Sequence, residues 1–382
     1  MLSVALKMLI GNKVSFLGVL FGIFLATLLI SQQSAIFLGL VARSYRLVTD
    51  IPSPNIWIID PATESDEKVR GIPEGYLEVV RSIPAIEWAV PLNVADIPLT
   101  TPSGIFHVCQ LYGIDDATLI GAPIEILEGN IRDLNRENSI LIDSYSATSS
   151  LAKIGPDGKK IPLKLGDYIE INNHRAVIVG ICKITQGFYP QPIIFTTISH
   201  FKIFAYGKNT IDFIAAKTRS GANVKEVLKK INAFPVLTGL TRDQLKWRIA
   251  KSFLQTGILI NFALSVGLGI IIGFSIAGQI FYIMTLENLK YYALIKAIGG
   301  NERLITKMII TQAIVVGVIG FLLGTGATLL WGIAIQDTTL AFLFPWQLLL
   351  FTGFLVIIIC LFTAGLSLHK VFAADPKTLL GN

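Results

Sequence analysis

Four long apolar stretches constrain what this 382-residue chain can fold into more than any other feature of its sequence. They lie at residues 14–42, 252–284, 305–335 and 346–368, and each exceeds the roughly 20 mostly apolar residues that an α-helix needs to cross a bilayer. About 200 residues of ordinary globular composition separate the first two stretches, enough for an independent core. The predicted fold class is therefore an integral membrane α-helical protein with four transmembrane helices and a large mixed α/β extracytoplasmic domain between helices 1 and 2.

These stretches also set the predicted domain boundaries. We expect a cytoplasmic amphipathic segment at 1–13, spans at 14–42, 252–284, 305–335 and 346–368, an extracytoplasmic (periplasmic) domain at 43–251, a cytoplasmic coupling helix at 285–304, an external loop at 336–345 and a cytoplasmic tail at 369–382. A cleaved signal peptide is the alternative for the first span, but its apolar run is longer than a signal core.

The charges of the chain orient these segments. Residues 43–251 hold 24 Lys+Arg and 22 Asp+Glu, so most of the net charge of +6 comes from the flanks and short loops. Basic residues beside spans mark the cytoplasmic side. We therefore expect a multi-pass protein of the cytoplasmic (inner) membrane, with both termini inside and the large domain outside, and no nucleic-acid partner. The basic residues outside the large domain are Lys7, Lys13, Lys290, Lys296, Arg303, Lys307, Lys370 and Lys377.

The large domain has patterns of both strands and helices. Residues 165–184 alternate and then turn at Asn173-His174, which predicts a β-hairpin. Further strands are predicted at 55–60, 105–111, 139–143, 193–197 and 211–216, and helices at 75–81 and 224–232. Residues 241–249 lead to the second span with no Pro or Gly before Gly257, so we expect one helix to continue from the domain into the membrane.

Motifs for catalysis are missing from the sequence. It has no phosphate-binding loop, no H-E-x-x-H and no G-x-S-x-G, and its histidines are scattered singly. We therefore predict that the chain is not an enzyme and holds no metal or cofactor of its own. The spans have almost no ionisable residues, which argues against an ion-coupled carrier. Cys109 and Cys182 lie in the external domain, either as a disulfide or as two buried thiols, and Cys360 lies in a span.

The most specific stretch is TLENLKYYALIKAIGGNERLITK at residues 285–307. It reads as a helix on the inner surface that stops at Gly299-Gly300. An apolar stripe is predicted for Leu286, Leu289, Tyr292, Ala293 and Ala297, and the side chains of Glu287, Lys290, Tyr291 and Lys296 are expected to be available to a partner. A helix that merely rests on lipid is the alternative.

This stretch resembles permeases of the FtsX/MacB group, the mechanotransmission (type VII) ABC transporters. That group has E-x-x-x-x-x-A-L-(K/R)-A-(I/L)-G-(A/G) after the second span, and here Glu287 is followed by residues 293–300, ALIKAIGG, with Ile295 inserted. ALKML before the first span, LGDYIEI…AVIVGI in the large domain and the C-terminal Ala374-Asp375-Pro376-x-x-Leu379 are similar to the group as well. FYIMTLENLK at 281–290 and Gly187-Phe188-Tyr189-Pro190 look most like the DevC subfamily.

The resemblance implies a function and partners. The chain would be the permease subunit of an ATP-driven ABC exporter, a homodimer that works with a cytoplasmic ABC ATPase, which binds the ATP and Mg²⁺. A periplasmic membrane-fusion adaptor and a TolC-like outer-membrane channel would complete the assembly. The ATPase-coupling helix would use Glu287, Lys290, Tyr291, Ala293, Leu294, Lys296, Ala297, Gly299 and Gly300.

Two other functions compete with export at this point. One is an FtsX-like regulator of a cell-wall hydrolase that moves no substrate, and the other is a membrane-anchored enzyme with its active site in residues 43–251. For an exporter, glycolipid, lipoprotein, haem, peptide and drug are all open as cargo.

Overall fold

The computed structural model describes residues 2–187, 191–336 and 338–373, and the side chains of residues 2, 3 and 369–373 are not described. Asp337, Phe188, Tyr189, Pro190 and the C-terminal motif at 374–379 therefore lie outside the described residues. The chain divides into two compact units. Residues 1–40 and 256–382 form what we call the membrane unit, and residues 41–255 form the external domain.

Twelve α-helices and one 3₁₀ helix, Ile131–Asn135, are present in the described residues, and the α-helices are numbered in chain order. They are α1 Leu2–Gly11, α2 Lys13–Ser44, α3 Arg46–Asp50, α4 Gly75–Arg81, α5 Ser144–Thr148, α6 Ile198–Phe204, α7 Val224–Ile231, α8 Arg242–Leu254, α9 Ile258–Glu287, α10 Leu289–Ala297, α11 Glu302–Ala334 and α12 Trp346–Ala373. Four of them are long and apolar enough to cross a membrane, namely α2, α9, α11 and α12 up to Leu368. The predicted four-helix membrane protein is confirmed.

The strands all lie in the external domain. They are β1 Ile56–Ile59, β2 Ile72–Pro73, β3 Ile86–Thr100, β4 Phe106–Ile114, β5 Glu125–Gly129, β6 Ser139–Asp143, β7 Lys153–Ile154, β8 Lys160–Ile161, β9 Tyr168–Ile171, β10 His174–Lys183, β11 Ile193–Thr197, β12 Thr210–Ile211, β13 Phe213–Thr218 and β14 Thr238–Thr241. The main sheet has the order β14-β1-β13-β3-β4-β11-β6-β10-β5, with β9 paired to β10 and β3. The mixed α/β domain between the first two spans is thereby confirmed.

Strand β3 joins the two halves of this sheet. Its first part, Ile86–Leu92, pairs with β13, and its second part, Asn93–Thr100, pairs with β4. The sequence did not predict β3, because Pro91 and Pro98 interrupt its apolar pattern and proline disfavours a central strand. Strands β5 and β14 were not predicted either.

The predicted β-hairpin is confirmed, but its turn lies one residue earlier than expected. Strands β9 and β10 pair antiparallel from His174–Ile171 to Val177–Tyr168. Asn172 and Asn173 between them have φ of 48° and 65°. Two consecutive left-handed residues make the turn that matches strand twist, and asparagine tolerates this conformation best among residues with a side chain.

The helix predicted to continue from the external domain into the second span is interrupted, so that prediction is wrong. Helix α8 starts at a capping box in which the Thr241 hydroxyl accepts a hydrogen bond from the Gln244 amide, and it ends at Leu254. Gly257 has a left-handed backbone with φ +81°, and α9 begins only at Ile258. A left-handed residue cannot continue a right-handed helix.

Cys109 and Cys182 are both buried free thiols, not a disulfide. Cys109 lies on β4 and Cys182 on β10, with β11 and β6 between them in the sheet. Three spacings of about 4.8 Å separate the two strands, roughly 14 Å in all, whereas a disulfide needs Cα atoms within about 7 Å. The two thiols also lie in different hydrophobic clusters.

Candidate coupling site

The connector between α9 and α11 is a short helix bounded by turns. We use "connector" for residues 288–301. Helix α9 ends at Glu287, α10 follows after Asn288, and the chain turns at Gly299 with φ +94°. Asn301 then caps α11, its side chain accepting a hydrogen bond from the Arg303 amide. The segment predicted as one helix at 285–304 therefore contains the end of α9, all of α10 and the start of α11.

A buried hydrogen-bond chain holds the inner side of α10. Tyr292 is 2% exposed, and its hydroxyl donates to Gln312 Oε1 of α11 at 3.1 Å. Gln312 Nε2 donates in turn to the Ala5 carbonyl of α1 at 2.8 Å. Burial raises the pKa of Tyr292 to about 12, so the phenol keeps its proton and remains a donor. This Tyr292–Gln312–Ala5 chain links α10, the base of α11 and α1.

Glu287 forms a second link to the N-terminal part of the chain. Its Oε2 accepts hydrogen bonds from Asn12 Nδ2 at 2.6 Å and from Ser15 Oγ at 3.3 Å. Asn12 Oδ1 also accepts from the Ser15 amide at 3.1 Å, at the junction of α1 and α2. The Glu287 side chain, expected to be available to a partner, is exposed and is at the same time hydrogen-bonded within the chain.

The predicted site residues divide between the two sides of α10. Ala293 is 6% exposed and Tyr292 is buried with it, so neither reaches a partner directly. Lys296 forms an ion pair with Glu302 at 3.4 Å, and its side chain is only 32% exposed. Gly299 and Gly300 form the turn after α10.

The exposed side of the connector presents a mostly apolar surface. We call it the docking face, and its residues are Lys290, Tyr291, Leu294, Ala297 and Ile298. Tyr291 is 59% exposed, Leu294 49% and Ile298 78%. Of the predicted apolar stripe, Tyr292 and Ala293 are buried and Leu289 is half-buried, whereas Leu286 and Ala297 are exposed. Ile298 was not predicted, although its place beside the Gly299-Gly300 stop was a signal.

Helix α1 packs beside the connector. Its Ala5 and Leu9 are at most 1% exposed, and Leu9 lies in one cluster with Tyr292 and Ile309. Val4, Lys7 and Ile10 are exposed. The helix within residues 1–13 thus packs Ala5 and Leu9 against protein, and it leaves the apolar Val4 and Ile10 exposed beside Lys7.

The external domain contains a buried ionic cluster close to its N-terminal end. Arg46 of α3 is 5% exposed and donates hydrogen bonds to Gln110 Oε1 and, at 2.9 Å, to the Tyr112 hydroxyl. Asp66 lies 3.9 Å from the guanidinium and accepts from the Tyr112 hydroxyl at 3.2 Å. Burial raises the pKa of Asp66, and the positive charge of Arg46 opposes that shift.

The first and last helices of the external domain are bonded to each other. Arg242 of α8 donates from Nε to the Val48 carbonyl at 3.1 Å and from Nη2 to the Thr49 carbonyl at 3.2 Å. Leu245 and Ile249 of α8 share a hydrophobic cluster with Leu47 and Val48. Neither this region nor any other described residues hold a group of three or more potential metal ligands.

Comparisons with known proteins place the chain in a family. Residues 14–234 match the model of the MacB-like periplasmic core domain, and residues 246–376 match the FtsX-like permease C-terminal model. No curated protein sequence matches the chain.

Two of the similar solved structures each cover about half of this chain. The periplasmic region of MacB from Actinobacillus actinomycetemcomitans is 14% identical, with a TM-score of 0.39, over 53% of this chain and 95% of that one. The extracellular domain of the transporter YknZ from Gram-positive bacteria is 13% identical, with a TM-score of 0.36, over 49% of this chain and 99% of that one. The assignment rests on the two family models, which together cover most of the sequence. This chain belongs to the FtsX/MacB-like ABC transporter permeases.

Proposed function

We propose that this chain is the membrane subunit of an ATP-driven ABC exporter and that the docking face binds its cytoplasmic ATPase. Permeases of this family generally work with such an ATPase. The observation that carries the proposal is the docking face itself, where Tyr291, Leu294 and Ile298 are exposed on or directly after α10, whose other side is hydrogen-bonded to α11. Exposed apolar groups of this kind mark protein contacts. The connector and both termini then lie in the cytoplasm.

The hydrogen bonds around α10 suggest how the ATPase acts on the spans. ATP and Mg²⁺ bind to the ATPase, and its closure displaces α10. The displacement reaches α11 through Tyr292 and Gln312, and it reaches the start of α2 through Glu287 and Ser15. No step requires a charge within the bilayer.

The displacement is transmitted to the external domain more directly through the first span, α2, than through the second span, α9. Helix α2 runs without interruption from Lys13 to Ser44, and Arg46 follows two residues later in its buried cluster. Helices α8 and α9, in contrast, are separated at Gly257. Arg242 joins α8 to α3, so movement of one of these helices is passed to the other. The external domain then handles cargo by mechanotransmission.

The remaining partners follow from the family resemblance. We propose a homodimer that contacts a periplasmic adaptor and a TolC-like channel, with DevC permeases as the closest subfamily. The DevC-like stretch 281–290 supports that subfamily.

Co-purification of the ATPase tests the docking face. The proposed partner, a cytoplasmic ABC ATPase from the same organism, is co-expressed with the full-length chain, and Leu294→Glu is expected to reduce recovery of the complex at least tenfold, because it places a charge in an apolar contact. Ile203→Glu is the matched control, since Ile203 is 46% exposed in the external domain. Equal recovery with both variants would reject the docking face. If the reconstituted complex activated a cell-wall hydrolase but transported no substrate, the alternative function as an FtsX-like regulator would be favoured.

A further inference from the structure

Helices α11 and α12 leave an apolar groove between their middle portions. The groove has a volume of about 420 Å³, and no residue that lines it carries a charge, an amide side chain or a hydroxyl group. Gly317 and Gly353 contribute no side chains to fill it. Ile314, Val318 and Ile357 line it as well, and each of these three side chains is about half exposed. The groove is therefore open to the surroundings of the membrane unit.

Two basic side chains lie on the same side of α11 as this groove. Arg303 and Lys307 are four positions apart, and Ile314 of the groove follows seven positions after Lys307. Such spacings place all three residues on one side of an α-helix. Both basic residues are exposed, and within the described part of the chain neither of their side chains has an ion pair or a hydrogen bond. The adjacent acid, Glu302, is already paired with Lys296 at 3.4 Å.

We propose that the groove, together with Arg303 and Lys307, binds an anionic phospholipid of the cytoplasmic leaflet. One acyl chain lies in the groove, and the phosphate lies beside the two basic side chains. The assignment rests on the cytoplasmic location of the connector in the proposed function. Anionic headgroups attract basic residues on that side of the membrane, and basic pockets between membrane helices bind such headgroups.

The spacing along α11 fits a single lipid molecule. Seven residues of helix separate Lys307 from Ile314 by about 10 Å, whereas the hydrocarbon of one leaflet is about 15 Å deep. The end of an acyl chain therefore reaches the groove while the phosphate lies at the membrane surface. Long basic side chains keep their charged ends at that surface, which brings them to the phosphate.

The shape of the groove favours a bound chain over freely exchanging lipid. An acyl chain on a flat helix surface touches protein along one side only. In a groove between two helices it touches protein on several sides, and each additional pair of atoms in contact adds dispersion attraction. The two basic side chains then select lipids that carry a negative charge, because they have no counter-charge among the described residues.

Photocross-linking in vesicles tests this site. The full-length chain is reconstituted in phosphatidylcholine vesicles with a small fraction of phosphatidylglycerol that carries a diazirine near the end of one acyl chain. A phosphatidylcholine probe with the same acyl chain is the reference, and mass spectrometry identifies the labelled residues. We expect the anionic probe to label Ile314, Val318 and Ile357 preferentially. Phe362 should be labelled equally by both probes, because it is 55% exposed and lies on the opposite side of α12 from Gly353.

Substitutions separate the acyl-chain site from the headgroup site. A Cβ atom on Gly353 would contact only the Phe321 ring, at 3.6 Å, so Gly353→Leu fills the groove without a clash and should abolish the preference for the anionic probe. Gly365→Leu is the matched control on the same helix, because a Cβ atom there meets nothing within 4 Å. Lys307→Gln should weaken the preference about fivefold, the effect of one basic residue near the surface. Lys13→Gln, at an exposed lysine of α2, should leave it unchanged.

Other results would overturn the proposal. Equal labelling of the groove by both probes would mean that it contacts bulk lipid without selecting a headgroup. If neither probe labels the groove, protein covers it. A preference that persists in Lys307→Gln would exclude the headgroup site. Labelling requires no ATPase, and co-purification of the ATPase requires no lipid probe, so failure of this site is distinguishable from failure of the proposed function.

Discussion

In the external domain, the buried charge of Arg46 is met by several side chains at once, whereas in the described part of the membrane unit the buried polar groups are uncharged and most bond to their own helix. Arg46 is surrounded by Gln110, Tyr112 and Asp66. Thr27 and Thr363, in contrast, donate to carbonyls three or four residues earlier. The comparison teaches that the domain depends on specific partners, while the membrane unit depends on close helix packing.

The largest expected effect tests the charged cluster of the external domain. Arg46→Met leaves Asp66 buried without its counter-charge, and this should lower the free energy of unfolding of the domain by about 3–5 kcal/mol. Pulse proteolysis of the full-length protein in urea measures the change. Arg70→Met is the control, because the Arg70 side chain is 74% exposed beside Asp60 and its pair is worth at most about 1 kcal/mol. If Arg46→Met and Arg70→Met lowered the free energy of unfolding equally, the buried charged cluster would not be what distinguishes the external domain from the membrane unit.

The next effect concerns close packing in the membrane unit. A Cβ atom on Gly273 would lie 2.3 Å from Ala26 Cβ, whereas a Cβ atom on Gly267 of the same helix would meet nothing within 4 Å. Gly273→Ala should therefore destabilise the unit by about 1–3 kcal/mol. Gly267→Ala should be neutral or stabilising by up to about 1 kcal/mol. The stabilities of the two variants are compared by unfolding in mixed micelles, followed by circular dichroism. If Gly267→Ala were the more destabilising of the two, the close packing of Gly273 against Ala26 would be contradicted.

A smaller effect is expected where the membrane unit uses a hydrogen bond between helices. Tyr292→Phe removes the donor to Gln312 and should cost about 0.6–2 kcal/mol. The same unfolding measurement applies. Tyr291→Phe, at the neighbouring position that is 59% exposed, should have no effect. If the two variants behave alike, the Tyr292–Gln312–Ala5 chain does not hold α10.

The last prediction is the absence of a reaction. Cys109 and Cys182 are fully buried, and burial raises the pKa of Cys109 to about 12 and the pKa of Cys182 above its usual range. A maleimide should modify neither in the native protein at neutral pH, because little thiolate forms and none is accessible. Both should react in denaturant without reductant. Two protected thiols under those conditions would indicate a disulfide instead.

The sequence predicts the elements of this protein whose signals are local. The spans and the hairpin at 165–184 follow from hydrophobic length and alternation. Strand β3 was missed because its pairing with β4 and β13 outweighs the unfavourable Pro91 and Pro98. The connector could be located as a candidate site, but not the bonds from Tyr292 to Gln312 or from Glu287 to Asn12. Tyr292 and Gln312 are 20 positions apart in sequence, and Asn12 and Glu287 are 275 apart. Contacts at such separations cannot be predicted from the periodicity of the sequence.

The left-handed conformation of Gly257 also affects how torsion and tension are transmitted along the chain at this residue. A continuous α-helix resists torsion because its hydrogen bonds fix each turn to the next. Between Leu254 and Ile258 the helix is interrupted, so rotation of α8 about its axis need not rotate α9. Tension along the backbone is still transmitted, because the covalent chain is unbroken. The backbone at residues 255–257 therefore constrains torsion less than a continuous helix would.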